Sequence, residues 1–143
     1  MARIQITLPA LLPFSTAIPL LISHINFANH LDNAQLLGLV SEARARYFKH
    51  LGYTEMDVEG VGIVVADAAV QYRSEAFHGE TLVVEMGTAD FHPHGCDLMW
   101  RISDQASGRE VARGKTGIVF FDYPTRSKAP VPDAFRQRST VAG

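Results

Sequence analysis

Only one segment of this 143-residue chain carries the periodicity of a long helix, and everything around it is patterned for strands. Over residues 33–51, Leu36, Leu37, Val40, Ala43, Tyr47, Phe48 and Leu51 recur at the spacing of an amphipathic helix. Asp32 or Asn33 supplies the N-cap, and Gly52, directly after Leu51, supplies the stop. At about 100° per residue the apolar stripe centres near Val40 and Tyr47, and Glu42 lies on the opposite face with Gly38 and Ala45. A lone helix of about five turns must bury its stripe against other elements, and the partners this chain offers are strands.

Residues 62–74 alternate, with Val64, Ala66, Ala68, Val70 and Tyr72 on one face and Asp67, Gln71 and Arg73 on the other. A turn at 78–80 leads to a Val-rich strand over 81–91, and a turn at 92–95 to a strand over 96–103. That strand carries Cys96, Leu98, Trp100 and Ile102 on one side. A hairpin loop at 104–108 precedes the last strand, 110–122. Upstream, 15–23 reads as a strand that Pro19 confines to an edge or a bulge, and 3–8 alternates weakly enough for a short edge strand. Pro124, Pro130 and Pro132 mark an irregular tail over 124–143. The expectation is one α+β domain over 1–143, with the helix laid across one face of an antiparallel sheet.

Composition narrows the function classes. The chain is 47% hydrophobic, enough for a real core. A net charge of −2 argues against a nucleic-acid or membrane-surface partner. The one cysteine, Cys96, forms no internal disulfide and leaves no basis for a Cys-based metal site; in its strand it is expected buried and inert. That usage suits a reducing cytoplasm, the expected location. Two prolines break the apolar N-terminal stretch, which is read as mature sequence. No apolar run approaches the ~20 residues that span a bilayer.

The helix entry is the most chemically loaded stretch. HINFANHLDN, residues 24–33, holds two His, three Asn and one Asp. Asn and Asp serve caps and turns, but the histidines exceed that need. His24 reads as structural. For His30 the alternatives are a hydrogen-bonded fixture of the helix entry or a site residue. Asp67, alone in VVADAAV, can face a ligand pocket, bond a helix-start group or occupy a half-exposed strand position. His78, His92 and His94 read as turn residues and no metal site is expected. Arg73, Lys115, Arg126 and Lys128 read as solvated cations that can also meet phosphates.

The ordered set NFANHLDN, SEARARYFKHLG, AVQYRSEAFHGETLVVE and FFDY resembles the hot-dog fold thioesterase superfamily, from about Phe14 to Phe135. The resemblance implies a curved antiparallel sheet wrapped round a central helix. It also implies hydrolysis of an acyl-coenzyme A or acyl-carrier-protein thioester by water without a cofactor, at a site on the interface of a homodimer that can pair into a tetramer. In the 4-hydroxybenzoyl-CoA thioesterase-like branch an Asp stands three residues before a Gly that precedes a His. With His30 on that His, Asn29 takes the Gly position and Asn26 the Asp position, so the carboxylate is missing. The acyl-carrier-protein thioesterases pair a His with a helix Glu twelve residues later, the spacing of His30 and Glu42. The implied catalytic set is therefore His30, Glu42 and Asn26, with Asn29, Asn33 and Asp67 as substrate contacts. Glu42 serves as general base, His30 orients water or protonates the leaving thiolate, and the amides of Asn33, Ala34 and Gln35 polarise the carbonyl. A binding protein of the same fold is the competing reading, motivated by Asn26, which cannot ionise. A hot-dog dehydratase is set aside because its usual His and acid arrangement is not evident.

Overall fold

In the computed structural model, which describes residues 2–140, the chain begins with strand β1 (Phe14–Pro19) and a 3-10 turn at Ile22–His24. Helix α1 (Asn33–His50) follows, then strands β2 (Gly62–Tyr72), β3 (Thr81–His92), β4 (Gly95–Asp104) and β5 (Glu110–Asp122). A short strand β6 (Ser127–Lys128) and a second helix α2 (Asp133–Thr140) close the order. The strands form one antiparallel sheet in the order β1-β3-β4-β5-β2, with β6 beside β5. This is the α+β hot-dog arrangement, a curved sheet around the long helix. No helix among the described residues is long and apolar enough to cross a membrane.

Asp32 is the N-cap of α1, and its carboxylate accepts the N–H groups of Ala34 and Gln35. Gly52, at φ +92°, takes the left-handed position that ends the helix. Leu36, Leu39, Val40, Ala43, Tyr47 and Phe48 are buried, whereas Leu37, counted in the stripe above, is exposed. Opposite them lie Leu82, Val84 and Met86 of β3, Leu98, Trp100 and Ile102 of β4, and Ala112, Ile118 and Phe120 of β5, all buried. Each large side chain buried this way contributes roughly 1.5–3 kcal/mol.

Four sequence expectations change. The strand over 15–23 ends at Pro19: Leu20 N–H still reaches Glu80 O at 2.9 Å, but Leu21 N–H leaves the ladder for His24 Nδ1 at 2.9 Å. Residues 3–8 form no strand. They cross the outer sheet face as an extended strap, with Ile6 N–H on Gln71 Oε1 at 3.0 Å and Arg113 Nη1 on Ile6 O at 3.2 Å. The side-chain alternation of β2 also breaks. Val65 pairs with Ile118 and Asp67 with Gly117, leaving Ala66 as a β-bulge. The bulge turns Val64 to the outer face and Val65 to the inner one, while Ala68, Val70 and Tyr72 keep the inner face.

The fourth change is the tail, expected to be irregular over 124–143. It contains β6 and α2, and Phe135 of α2 is completely buried. Its ring meets those of Phe120 at 5.1 Å, Phe48 at 5.5 Å and Tyr53 at 6.2 Å. Arg138 Nη1 donates to Leu51 O at 3.2 Å, tying α2 to the end of α1. Phe135→Ala is expected to destabilise the protein by about 3–5 kcal/mol, measured by urea denaturation; a chain with a merely draped tail loses almost nothing.

Candidate functional site

The loop from His24 to Asp32 is held by its own backbone. Asn26 N–H donates to His30 O at 2.9 Å, Asn29 N–H to Asn26 O at 3.0 Å, and Asp32 N–H to His24 O at 2.9 Å. Leu31 N–H donates to Ala76 O at 2.8 Å, which joins the helix entry to the segment after β2. Asn29 sits at φ +65°, a left-handed conformation that Asn tolerates better than most residues. That conformation suits the Gly position to which the resemblance assigned it.

These bonds decide what the polar side chains can offer. His30 Nδ1 lies 3.1 Å from Leu31 O, and a carbonyl oxygen only accepts. Nδ1 therefore carries the proton, and Nε2 of the neutral ring presents a lone pair. Asn26 Oδ1 accepts Ala28 N–H at 2.9 Å, so the free end of this amide is its Nδ2 donor. Asn26 can hold a water or a carbonyl oxygen but cannot take a proton.

His30, Asn26 and Asn33 line one cavity of about 940 Å³ together with Tyr72, Glu75 and Phe77. The Tyr72 hydroxyl donates to Asn33 O at 3.2 Å and clasps the end of β2 to the start of α1. Across the cavity, Arg109 Nη2 reaches Glu75 O at 3.0 Å and both oxygens of Glu80 at 3.1 Å, while its Nε donates to Ser74 Oγ at 3.2 Å. The wall over residues 74–80 is thus pinned from one side by Arg109 and from the other by Leu31.

The helix start is less open than expected. Asp32 Oδ2 occupies Ala34 N–H at 2.9 Å and Gln35 N–H at 3.1 Å, and Asp32 O takes Leu36 N–H at 3.0 Å. Of the three amides expected to polarise a carbonyl, only that of Asn33 makes no hydrogen bond among the described residues. The reason is that a side chain cap and an external anion compete for the same N–H groups.

Glu42 is not brought to His30 within one chain. It lies six residues from Leu36 on α1, about 120° round the helix, and lines a separate cavity of about 390 Å³ with Ile18, His24 and Gln35. Its carboxylate accepts Arg46 Nε at 2.8 Å, and Arg46 Nη1 also donates to Thr16 Oγ1 at 2.8 Å and Ala17 O at 3.0 Å. Asp67 is also elsewhere. It lies on the outer face with Gln71, 3.0 Å from Lys115 Nζ, which lies 2.8 Å from Asp97. Hydrogen bonding to Asp97, and then to Asp67, holds the Lys115 ammonium above its ordinary value. Lys115 is therefore committed to a carboxylate pair and is not the free cation expected.

The remaining candidates behave as turn or core residues. His24 Nδ1 accepts Leu21 N–H, and His94 Nδ1 donates to Ala129 O at 3.1 Å. Cys96 is buried, and burial together with Asp97 pushes its thiol up to about 12. Tyr72, Glu75 and Arg109 were not singled out from the sequence. Only Tyr72, at the inner-face end of β2, carried a signal; Glu75 is placed by the contact of Leu31 with Ala76, and Arg109 by its bonds to Ser74, Glu75 and Glu80.

A family model described as thioesterase-like superfamily matches residues 20–139. No match is found among curated proteins. A 1,4-dihydroxy-2-naphthoyl-CoA thioesterase from Synechocystis superposes with a TM-score of 0.79 at 20% identity, covering 87% of this chain and 93% of that one. A gentisyl-coenzyme A thioesterase gives 0.78 at 14% identity, over 89% of this chain and 100% of that one. A Staphylococcus aureus protein solved in complex with CoA gives 0.78 at 16% identity, over 87% and 80%. At these identities the likeness is one of fold.

Two measurements check the local chemistry. Asp32→Ala is expected to cost about 1 kcal/mol through the lost cap, read by urea denaturation. Cys96 is expected to resist a thiol reagent at pH 8 in the native protein and to react once the chain is unfolded; rapid native reaction contradicts its burial.

Proposed function

We propose, since this chain belongs to the thioesterase-like superfamily, that it hydrolyses acyl thioesters of coenzyme A or of a carrier protein, with water as co-substrate and without a cofactor. The observation that carries this reading is the fixed pair of His30 and Asn26. The Nδ1 bond to Leu31 O leaves the His30 lone pair at Nε2, and the Asn26 bond to Ala28 N–H leaves a donor at Nδ2, on one cavity wall. Nε2 accepts a hydrogen bond from the attacking water and holds it. Asn26 Nδ2 and the Asn33 N–H donate to the carbonyl oxygen as it gains charge. The tetrahedral species then expels the thiolate, a far better leaving group than an amine. Asn29 shapes the turn that sets this pair.

Coenzyme A is the carrier favoured by the neighbours named as coenzyme A thioesterases and by the one solved with CoA. Arg3 and Arg73 on the cavity rim suit its phosphates, and exposed Phe77 and Tyr72 suit an apolar acyl group. A homodimer completes the reading. β2 is a sheet edge with four consecutive exposed residues, 65–68, and Phe27 beside the cavity is 99% exposed. A second copy covers such a surface, and two dimers can pair further. Glu42 joins the site only when a second copy carries it to the cavity. The cytoplasm, which holds acyl-coenzyme A, is the assigned compartment.

The competing reading, a thioester-binding protein, is favoured by Asn26 in place of an acid. Thiol release from a panel of short, long and aryl acyl-coenzyme A substrates separates the two. The wild type is expected to turn over, His30→Ala to lose about 10²–10⁴ in kcat and Asn26→Ala about 10²–10³. Binding without thiol release, measured by calorimetry on the same panel, overturns the enzyme reading.

A further inference from the structure

The acids of the chain divide sharply by what already holds them. Asp32 spends its carboxylate on Ala34 and Gln35 N–H. Glu42 holds Arg46 in the other cavity, and Asp67 holds Lys115 on the outer sheet face. Glu80 takes Arg109, Glu110 takes Arg113, Glu85 takes Arg101 and Glu55 takes Arg44. Glu75 makes no side-chain hydrogen bond or ion pair among the described residues. It is also the only acid among the described residues lining the cavity of His30 and Asn26.

Its position is built rather than incidental. Glu75 O accepts Arg109 Nη2 at 3.0 Å, the neighbouring Ala76 O accepts Leu31 N–H at 2.8 Å, and Ser74 Oγ donates to Glu110 O at 2.7 Å. Three consecutive residues are thus tied down by contacts that leave the Glu75 carboxylate unused. The Leu31 bond matters most, because it sets the backbone of Glu75 and Ala76 against that of His30 and Leu31. Sequence alone pairs His30 with Glu42; the fold puts Glu75 on the wall of the cavity that His30 lines.

We propose that Glu75 is the general base of the thioester site, supplying from the β2–β3 connection the carboxylate that Asn26 cannot. The proposal rests on the thioesterase reading above. The Glu75 carboxylate takes one proton from the water held at His30 Nε2 as the water oxygen bonds to the thioester carbon. The C–O bond forms, and the carbonyl π electrons move to the oxygen facing Asn26. On collapse the C–S bond breaks, and the sulfur leaves with its electron pair and takes the proton from Glu75. The products are the carboxylic acid and the free thiol, so atoms and charge balance without another reactant.

The test measures steady-state thiol release for wild type, Glu75→Gln, Glu75→Asp and Glu42→Gln on the acyl-coenzyme A substrate that the wild type turns over fastest, with thermal melting as the folding control. Glu75→Gln is expected to lower kcat by about 10²–10³ with KM changed less than threefold, and Glu75→Asp to retain an intermediate rate. A Glu75→Gln enzyme within fivefold of wild type overturns the proposal and leaves the thioesterase reading standing. Loss confined to Glu42→Gln also overturns it, in favour of a base carried in by a second copy. A wild type that releases no thiol from any acyl-coenzyme A or acyl-carrier-protein substrate overturns the thioesterase reading, and the role of Glu75 falls with it.

Discussion

The apolar stripe of α1 must be buried, and the inner face of one sheet is what buries it. Val40, Ala43, Tyr47 and Phe48 have almost no exposed surface, and neither do Val84, Met86, Leu98, Trp100 and Ile102. A sheet that closes over a single helix leaves the chain one route into it, from the end of β1 round the edge to Asn33. That route is the loop carrying His30. Its passage beside the end of β2 allows the bond from Leu31 N–H to Ala76 O, so packing of the helix creates the cavity as a by-product.

Within that loop the side chains of Asn26, His30 and Asp32 each have a backbone partner, and the partners determine the chemistry. A backbone carbonyl takes the Nδ1 proton of His30, and a backbone N–H takes Oδ1 of Asn26. Each side chain is left with one usable end, an acceptor on His30 and a donor on Asn26. The same logic removes Asp32 and most of the helix N-terminus from consideration, since the cap uses the amides an oxyanion needs. Preorganisation of this kind costs nothing at the moment of reaction, because the ring and the amide are already oriented.

Legibility followed the range of the interaction. Helix α1, its cap and its stop come from contacts within four residues, and the strands over 81–91, 96–103 and 110–122 were recognised to within one residue at either end. The bulge at Ala66 was invisible, because VVADAAV alternates acceptably either way and only pairing with β5 reveals the skipped residue. Helix α2 was hidden for a related reason. Eight residues after three prolines carry too few turns to display a period, and Phe135 earns its place from rings on α1 and β5 and beyond.

By itself the sequence determined one amphipathic helix, the strands that cover it, and a polar helix entry in which His30 stands near an amide instead of an acid. Those are properties of neighbouring residues, and local propensity and periodicity suffice to set them. Tertiary structure alone decided which carboxylate shares the cavity. Spacing along the chain favoured Glu42, but helix geometry turns it away toward Arg46, and Asp67 stays on the outer face beside Lys115. Glu75 reaches the cavity because two segments 45 residues apart meet through one backbone hydrogen bond, Leu31 to Ala76. No local rule encodes that meeting; it follows from the closure of the sheet over the helix.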